Sequence, residues 1–375
     1  MSTETLPADG LVTAAEAVRK IAAEHATESE QTRRPAPEVV AAIAEAGFAR
    51  HFVPARWGGA GGTFADLLAA VTTVGQGCIS AAWCAALYAT LSRMAVHLPV
   101  EGQEEVWAGG PDTLVVGAIT PSGQASAVPG GWRLSGVWPF TSAAGHADWV
   151  LAANITPGGG GLRYFAVPRS EYTVADTWFT VGMRGTGSND IVLENVFVPE
   201  HRSFAGENLW QGRAESAEPR HNIPFKAVNG LSFVAPALGA VRAALGHWST
   251  VIAAKSEITG KATKDRVTVQ LALARAAAEV DAAQLLLERA AEAADRAPVT
   301  PDTLVRSSRD FAVAADFLVA AVDRIFRAGG ARGQRENDVV QRAWRDVTCA
   351  AGHVALQFEA NGSAYAKHVL SGRPA

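Results

Sequence analysis

The chain has 375 residues, more than one ordinary hydrophobic core accommodates, so two or three domains are expected. Hydrophobic residues make up 48% and charged residues 19%, with a formal net charge of -4. That balance excludes a basic nucleic-acid field and a polybasic membrane patch, and fits a globular protein.

Residues 1–111 read as a helical domain. Ala14, Val18, Ile21 and Ala22 fall on one helix face. A second helix runs from Pro37 to Ala46 and stops at Gly47. Residues 51–63 form a Gly-rich loop, and helical patterns resume over Phe64–Val74, Ser80–His97 and Gly102–Ala108. Residues 112–205 change to strand texture. Leu114–Ile119, Trp132–Trp138, Trp149–Asn154, Leu162–Val167, Tyr172–Thr180 and Ile191–Val198 are candidate strands of a small β-barrel or sandwich. Residues 206–375 turn helical again. Val267, Leu271, Ala274 and Ala278 share one face, Thr300-Pro301 starts a helix, and Arg327 to Gly330 ends one. Four helices of about 30 residues each would make an antiparallel bundle.

Cys78, Cys84 and Cys349 form no C-x-x-C pair, so neither a disulfide framework nor a zinc site is expected, and a reducing cytosol fits. Met1 to Leu11 is polar, without the apolar core of a signal peptide. Apolar stretches are interrupted by Gly, Ser, Arg or His before the roughly 20 residues of a membrane span. Abundant Ala with scarce Lys and Tyr reads as GC-rich bacterial coding.

Gly182 to Ser188 (GMRGTGS) follows a strand and leads into another. It lacks the helix start of a Rossmann turn and the Gly-Lys-Ser/Thr of a P-loop, so neither NAD(P)H nor ATP is expected there. None of the nine histidines has a metal-ligand spacing, and no metal is expected. No Gly-x-Ser-x-Gly elbow supports hydrolase chemistry. His146 stands in the string Trp138 to Trp149, and His353 follows Arg345-Asp346 on a predicted helix with small neighbours Ala350, Ala351 and Gly352.

These strings carry a resemblance. Gly136 to Ser142 (GVWPFTS) with His146-Ala147-Asp148-Trp149 is similar to the flavin-contacting segment of acyl-CoA dehydrogenase-like hydroxylases. Those include the oxygenase components of 4-hydroxyphenylacetate hydroxylase and of polyketide-tailoring monooxygenases. Gly182 to Asp190 with Val196 to Pro199, Pro54 with Gly58-Gly59, and Ala81-Ala82-Trp83 resemble further superfamily segments. So do Lys255, Asp265-Arg266 and Gln270, and then Gln341-Arg342, Arg345-Asp346 and His353. The likeness spans residues 12 to 355.

The resemblance implies an acyl-CoA dehydrogenase fold: a helical N-terminal domain, a central β-barrel domain and a C-terminal four-helix bundle. It implies a two-component monooxygenase using a C4a-hydroperoxyflavin on a small aromatic or polyketide-type substrate. Reduced FMN, or FAD in its place, would come from a separate reductase, and the assembly would be a homotetramer. Ser142 and His353 would be catalytic. Trp138, Phe140, Thr141, Ser142, Arg266, Gln270 and Arg345 would hold the cofactor, with Arg266 reaching a neighbouring subunit's flavin. His146 and Trp83 would meet the substrate. His353 would serve as proton donor or base through a titration near pH 7. The dehydrogenase branch needs a carboxylate base after the Arg-Asp pair, but Cys349 to Val354 has none. A dehydrogenase with a relocated base, an N-hydroxylating amino-sugar oxygenase and a catalytically silent binding subunit are the alternatives. No His follows Ala81-Ala82-Trp83 until His97, which argues against a simple 4-hydroxyphenyl acid as substrate.

Overall fold

The computed structural model describes residues 10–216, 218–256, 260, 262–296 and 298–372; most of the polar start, Met1 to Asp9, lies outside them. The chain opens with α1 (Gly10–Glu24), α2 (Ala26–Thr32), α3 (Pro37–Glu45), α4 (Phe64–Gly75), α5 (Ile79–Ala95) and α6 (Val100–Val106). Pro37 begins α3, and Gly47 at φ 86° follows its end. Thr63 caps α4 by accepting the Asp66 N–H at 2.9 Å. The same helix start is held from the bundle, where the Asp295 carboxylate accepts the N–H groups of Phe64 and Ala65 at 2.9 and 3.0 Å.

Eight strands follow among the described residues: β1 (Val115–Ala118), β2 (Gln124–Val128), β3 (Gly131–Thr141), β4 (Trp149–Thr156), β5 (Gly161–Pro168), β6 (Thr173–Ala175), β7 (Asn189–Pro199) and β8 (Ser203–Ala205). They form two four-stranded sheets, ordered β1-β4-β5-β8 and β2-β3-β7-β6, with only the β1–β4 pairing parallel. Trp138 pins the sheets together: its indole N–H donates to the Ala153 carbonyl at 2.7 Å. The β3–β7 register slips between Trp138 and Thr141, and Phe140 there adopts φ 62°. That irregularity turns a large aromatic outwards, 71% exposed. The expected strand over Tyr172–Thr180 is only three residues long. The short strands β2 and β8 lie outside the expected set.

After α7 (Gly206–Gln211) come α8 (Phe225–Ala254), α9 (Val267–Asp295), α10 (Pro301–Gly329), α11 (Val339–Ala351) and α12 (Phe358–Leu370). Three helices have the expected length; the fourth position is split in two. The cause is local: His353 leaves helical geometry at ψ 137°, and its ring caps the next turn. His353 thus stands at a helix break, not on a helix as expected. Helix α8 packs against α4, α5, α9, α10 and α11. It is also long and apolar enough to cross a membrane by composition, which the expected interruptions did not foresee; 78% of its apolar window is buried in the protein. Where it crosses α4, Gly239 meets Gly75 backbone to backbone.

Burial holds three histidines, His51, His97 and His353, neutral, each pushed down to about 4. Unfolding in acid releases these imidazoles to take up protons. Their stabilisation is therefore present above pH 6.5 and is lost as the pH falls towards 4. Asp346, raised to about 6 by burial, opposes this because its folded form binds the proton first. Each such imidazole contributes a stability loss of about 1.4 kcal/mol per pH unit in that window, and Asp346 offsets one of the three. Thermal melts between pH 7 and 4.5 should show a steep fall in Tm; a flat profile would refute the burial argument.

Candidate active site

A cavity of about 540 Å³ lies where α5, α8 and the break after α11 meet the end of β3 and the Gly182–Ser188 turn. Helical spacing builds its walls. On α5, Trp83, Leu87, Thr90, Leu91 and Met94 recur at i, i+4, i+7, i+8 and i+11; on α8, Phe225, Asn229, Ser232 and Phe233 recur at i, i+4, i+7 and i+8. Phe140 and Val354 stand exposed at the mouth, while Leu91, Met94 and Phe225 are buried at the other end.

Four expected site residues come together here: Trp83, Phe140, Ser142 and His353. The His353 ring stacks on Phe233 with centroids 3.8 Å apart and meets the Trp83 edge at 5.8 Å. Its Nδ1 accepts the Ala355 N–H at 3.2 Å. That bond places the proton of the neutral ring on Nε2. With burial pushing it down to about 4, His353 is a neutral donor at pH 7 and not the expected switch near neutrality.

Ser142 joins a chain of hydroxyls whose direction follows from counting protons. Thr186 donates to the Met183 carbonyl at 2.8 Å, so it receives the Ser188 proton at 2.6 Å. Ser188 then receives the Ser142 proton at 2.7 Å, and Ser142 accepts the Trp83 indole N–H at 3.1 Å. In this state Ser142 offers a ligand a lone pair, not a proton. Reversal would let it donate, and the Met183 carbonyl would still be satisfied by the Trp178 indole at 2.9 Å and the Thr186 N–H at 3.2 Å.

The other expected residues lie elsewhere. Trp138 is fully buried between the sheets, and the Thr141 side chain is fully buried beside the cavity wall, its hydroxyl without a partner among the described residues. His146 lines a separate polar groove with Arg33 and Arg34, and its Nε2 lies 3.2 Å from the Pro35 carbonyl. Arg345 pairs with Glu30 and donates to the Val181 carbonyl at 2.7 Å, joining α11 to the N-terminal domain. Arg266 and Gln270 are exposed at the start of α9, which contributes nothing to the cavity wall. Sequence reasoning missed Phe233, Trp178, Ser188 and Asn229 as cavity residues. Asn229 left one signal, a polar residue at a core-facing position of an apolar helix.

Residues 11–107 match the family described as acyl-CoA dehydrogenase, N-terminal domain, and residues 231–358 match its C-terminal domain. The FADH(2)-dependent resorcinol hydroxylase, oxygenase component, of Rhizobium sp. (strain MTP-10005) is 31% identical, over 93% of this chain and 91% of that one. The flavin-dependent monooxygenase, oxygenase subunit HsaA, of Rhodococcus jostii (strain RHA1) is 30% identical, over 88% of this chain and 91% of that one. Among solved structures, 3-HSA hydroxylase from Rhodococcus sp. RHA1 superposes with a TM-score of 0.90 at 25% identity over 98% of each chain. XiaF from Streptomyces sp., in complex with FADH2 and glycerol, gives 0.88 at 28% identity over 96% of this chain and 95% of that one. With both terminal domains, the full-length identity and the superposition in agreement, the chain belongs to the reduced-flavin-dependent monooxygenases of the acyl-CoA dehydrogenase fold, as the oxygenase component of a two-component system.

Proposed function

We propose that the chain takes reduced flavin from a separate reductase and, with molecular oxygen, hydroxylates an uncharged aromatic or polyketide-type molecule. One observation carries the charge assignment. Among the described residues lining the cavity there is no Lys, Arg, Asp or Glu, and the one imidazole is neutral at pH 7. Burying a substrate carboxylate there without a partner costs several kcal/mol. A simple phenolic acid is therefore a poor fit, and a neutral phenol a good one. The same wall offers no carboxylate base for a dehydrogenase. Asp346 is turned into the core, where it accepts the Met183 N–H at 2.6 Å.

The residues present fit a flavin. Phe140 and Trp178 offer aromatic faces at the mouth, 6.3 Å apart edge to face, and beside them the buried Thr141 hydroxyl lacks a partner among the described residues. Bound reduced flavin would supply the electrons that activate oxygen. Ser142 would hydrogen-bond the flavin edge, accepting or donating as the hydroxyl chain is set. His353 would donate its Nε2 proton towards oxygen or substrate. The apolar walls would exclude water, which otherwise diverts reduced oxygen to hydrogen peroxide. Arg266 and Gln270 would reach a neighbouring subunit's flavin phosphate in a homotetramer. The exposed Val267, Leu271 and Leu285 on α9 support such an assembly.

The test is a rapid-mixing experiment. Protein holding reduced FMN, or reduced FAD, is mixed with oxygen and a neutral phenol. Hydroxylated product is expected, with no NADH or NADPH oxidation unless a reductase is added. Ser142→Ala should raise the share of oxygen released as hydrogen peroxide several-fold. Pyridine-nucleotide oxidation by the chain alone, or wild-type protein yielding peroxide only, would overturn the reading.

A further inference from the structure

The reactive residues cluster near the mouth, yet the cavity continues past them and becomes polar again. Asn229 lies one turn before Phe233 on α8, about 6 Å along the helix axis. Thr90 lies two turns past Trp83 on α5, about 10 Å along that axis. Both line the cavity, as does Ser232. Thr90 donates to the Ala86 carbonyl at 2.8 Å and so receives the Ser232 proton at 3.4 Å. Ser232 therefore has only lone pairs left to offer. No protein group hydrogen-bonds the Asn229 side-chain amide among the described residues, although it lines this part of the cavity. A carboxamide there offers one donor group and one acceptor, the complement of a hydroxyl or carbonyl and a poor match for an ion.

We infer that Asn229, assisted by Ser232, is the anchor for a neutral hydroxyl or carbonyl carried by the substrate at the end remote from the carbon that is hydroxylated. The inference deepens the monooxygenase reading above and rests on it for what happens at the other end. An anchor at this depth orients a flat molecule lengthwise and so selects which ring edge reaches His353. A substrate lacking the remote oxygen would leave the amide buried and unpaired, which is how such a site rejects it.

The probes are naphthalene-2,6-diol and 2-naphthol, titrated into the full-length protein without flavin, with quenching of tryptophan emission as the readout; Trp83 and Trp178 line the cavity. Wild type should bind the diol about 10-fold more tightly or better. Asn229→Leu, with the same number and branching of side-chain heavy atoms, should bring the ratio close to one, and Ser232→Ala should reduce it about 3-fold. Equal wild-type affinities, binding of neither probe, or a preference that survives in Asn229→Leu would overturn the anchor. A second arm separates this from the parent reading: wild type with reduced FMN and oxygen is assayed for hydroxylated 2-naphthol. Product without diol preference removes the anchor and leaves the monooxygenase reading. Diol preference without product does the reverse.

Discussion

His353→Asn should lower coupled product formation by about 10²–10³-fold while the protein stays folded. The choice of Asn isolates the chemistry. Asn is a good helix cap, so its side-chain oxygen can accept the Ala355 N–H as Nδ1 does now. What disappears is the Nε2 donor and its stacking on Phe233. A donor aimed at developing charge in a dry site accounts for a loss of this size, and loss of packing alone does not. Two further measurements sharpen the test. Wild-type product yield should be level from pH 8 down to about 5, because burial keeps the ring neutral until about 4. A wild-type break near pH 6.5 that vanishes in His353→Asn would mean the imidazole titrates normally, and the neutral-donor assignment would fall. A variant with unchanged coupling but a lowered Tm would make His353 a packing residue only.

Gly239→Val should be the most damaging small substitution in the bundle. A Cβ at Gly239 would stand 2.1 Å from the Thr72 carbonyl oxygen and 2.8 Å from Gly75 Cα, both backbone atoms of α4. No rotamer relieves a clash with backbone, so the helices must separate. The expected cost is about 4 kcal/mol or more, beyond the usual range for overpacking. Gly246 supplies the control on the same helix, since an added Cβ there meets nothing within 4 Å. Gly246→Ala should stabilise by up to about 1 kcal/mol through helix propensity. Thermal melts of the pair should move in opposite directions. Equal, small shifts would show that the close crossing of α4 and α8 is not what holds these helices together.

Much of this architecture is legible in the sequence because period and punctuation agree. Thr300-Pro301 opens α10 as its chemistry requires, Gly47 ends α3, and α5 and α9 repeat at helical spacing. The misses have physical causes. Strands β2 and β8 are too short to show alternation. The break before α12 depends on a ring capping its own backbone, which no periodicity reports. At the site, residue strings identified Trp83, Phe140, Ser142 and His353, but not their states. The protonation of His353 depends on Phe233, far away in sequence. The proton direction at Ser142 depends on Ser188 and Thr186, which read as parts of a turn. His146 and Trp138 share a string with Ser142, but neither lines the cavity: the register slip after Trp138 breaks the alternation of β3, and His146 lies in a turn beyond the strand.

The contact between Gly75 and Gly239 bears on how such a chain can recombine. Trp83, Ser142 and Phe233 come from the three regions of different texture, and all wall one cavity. A crossover near residue 111 or 205 between this chain and a distant homologue would pair half of one active site with half of another, and would mismatch a helix crossing that allows no added Cβ on either side. Segments exchange freely only where an added side chain meets nothing, as at Gly158, Gly159 and Gly161 in the exposed hairpin between β4 and β5. Two glycines and the width of a peptide group thus tie the N-terminal helices to the bundle, so that neither can be exchanged without the other.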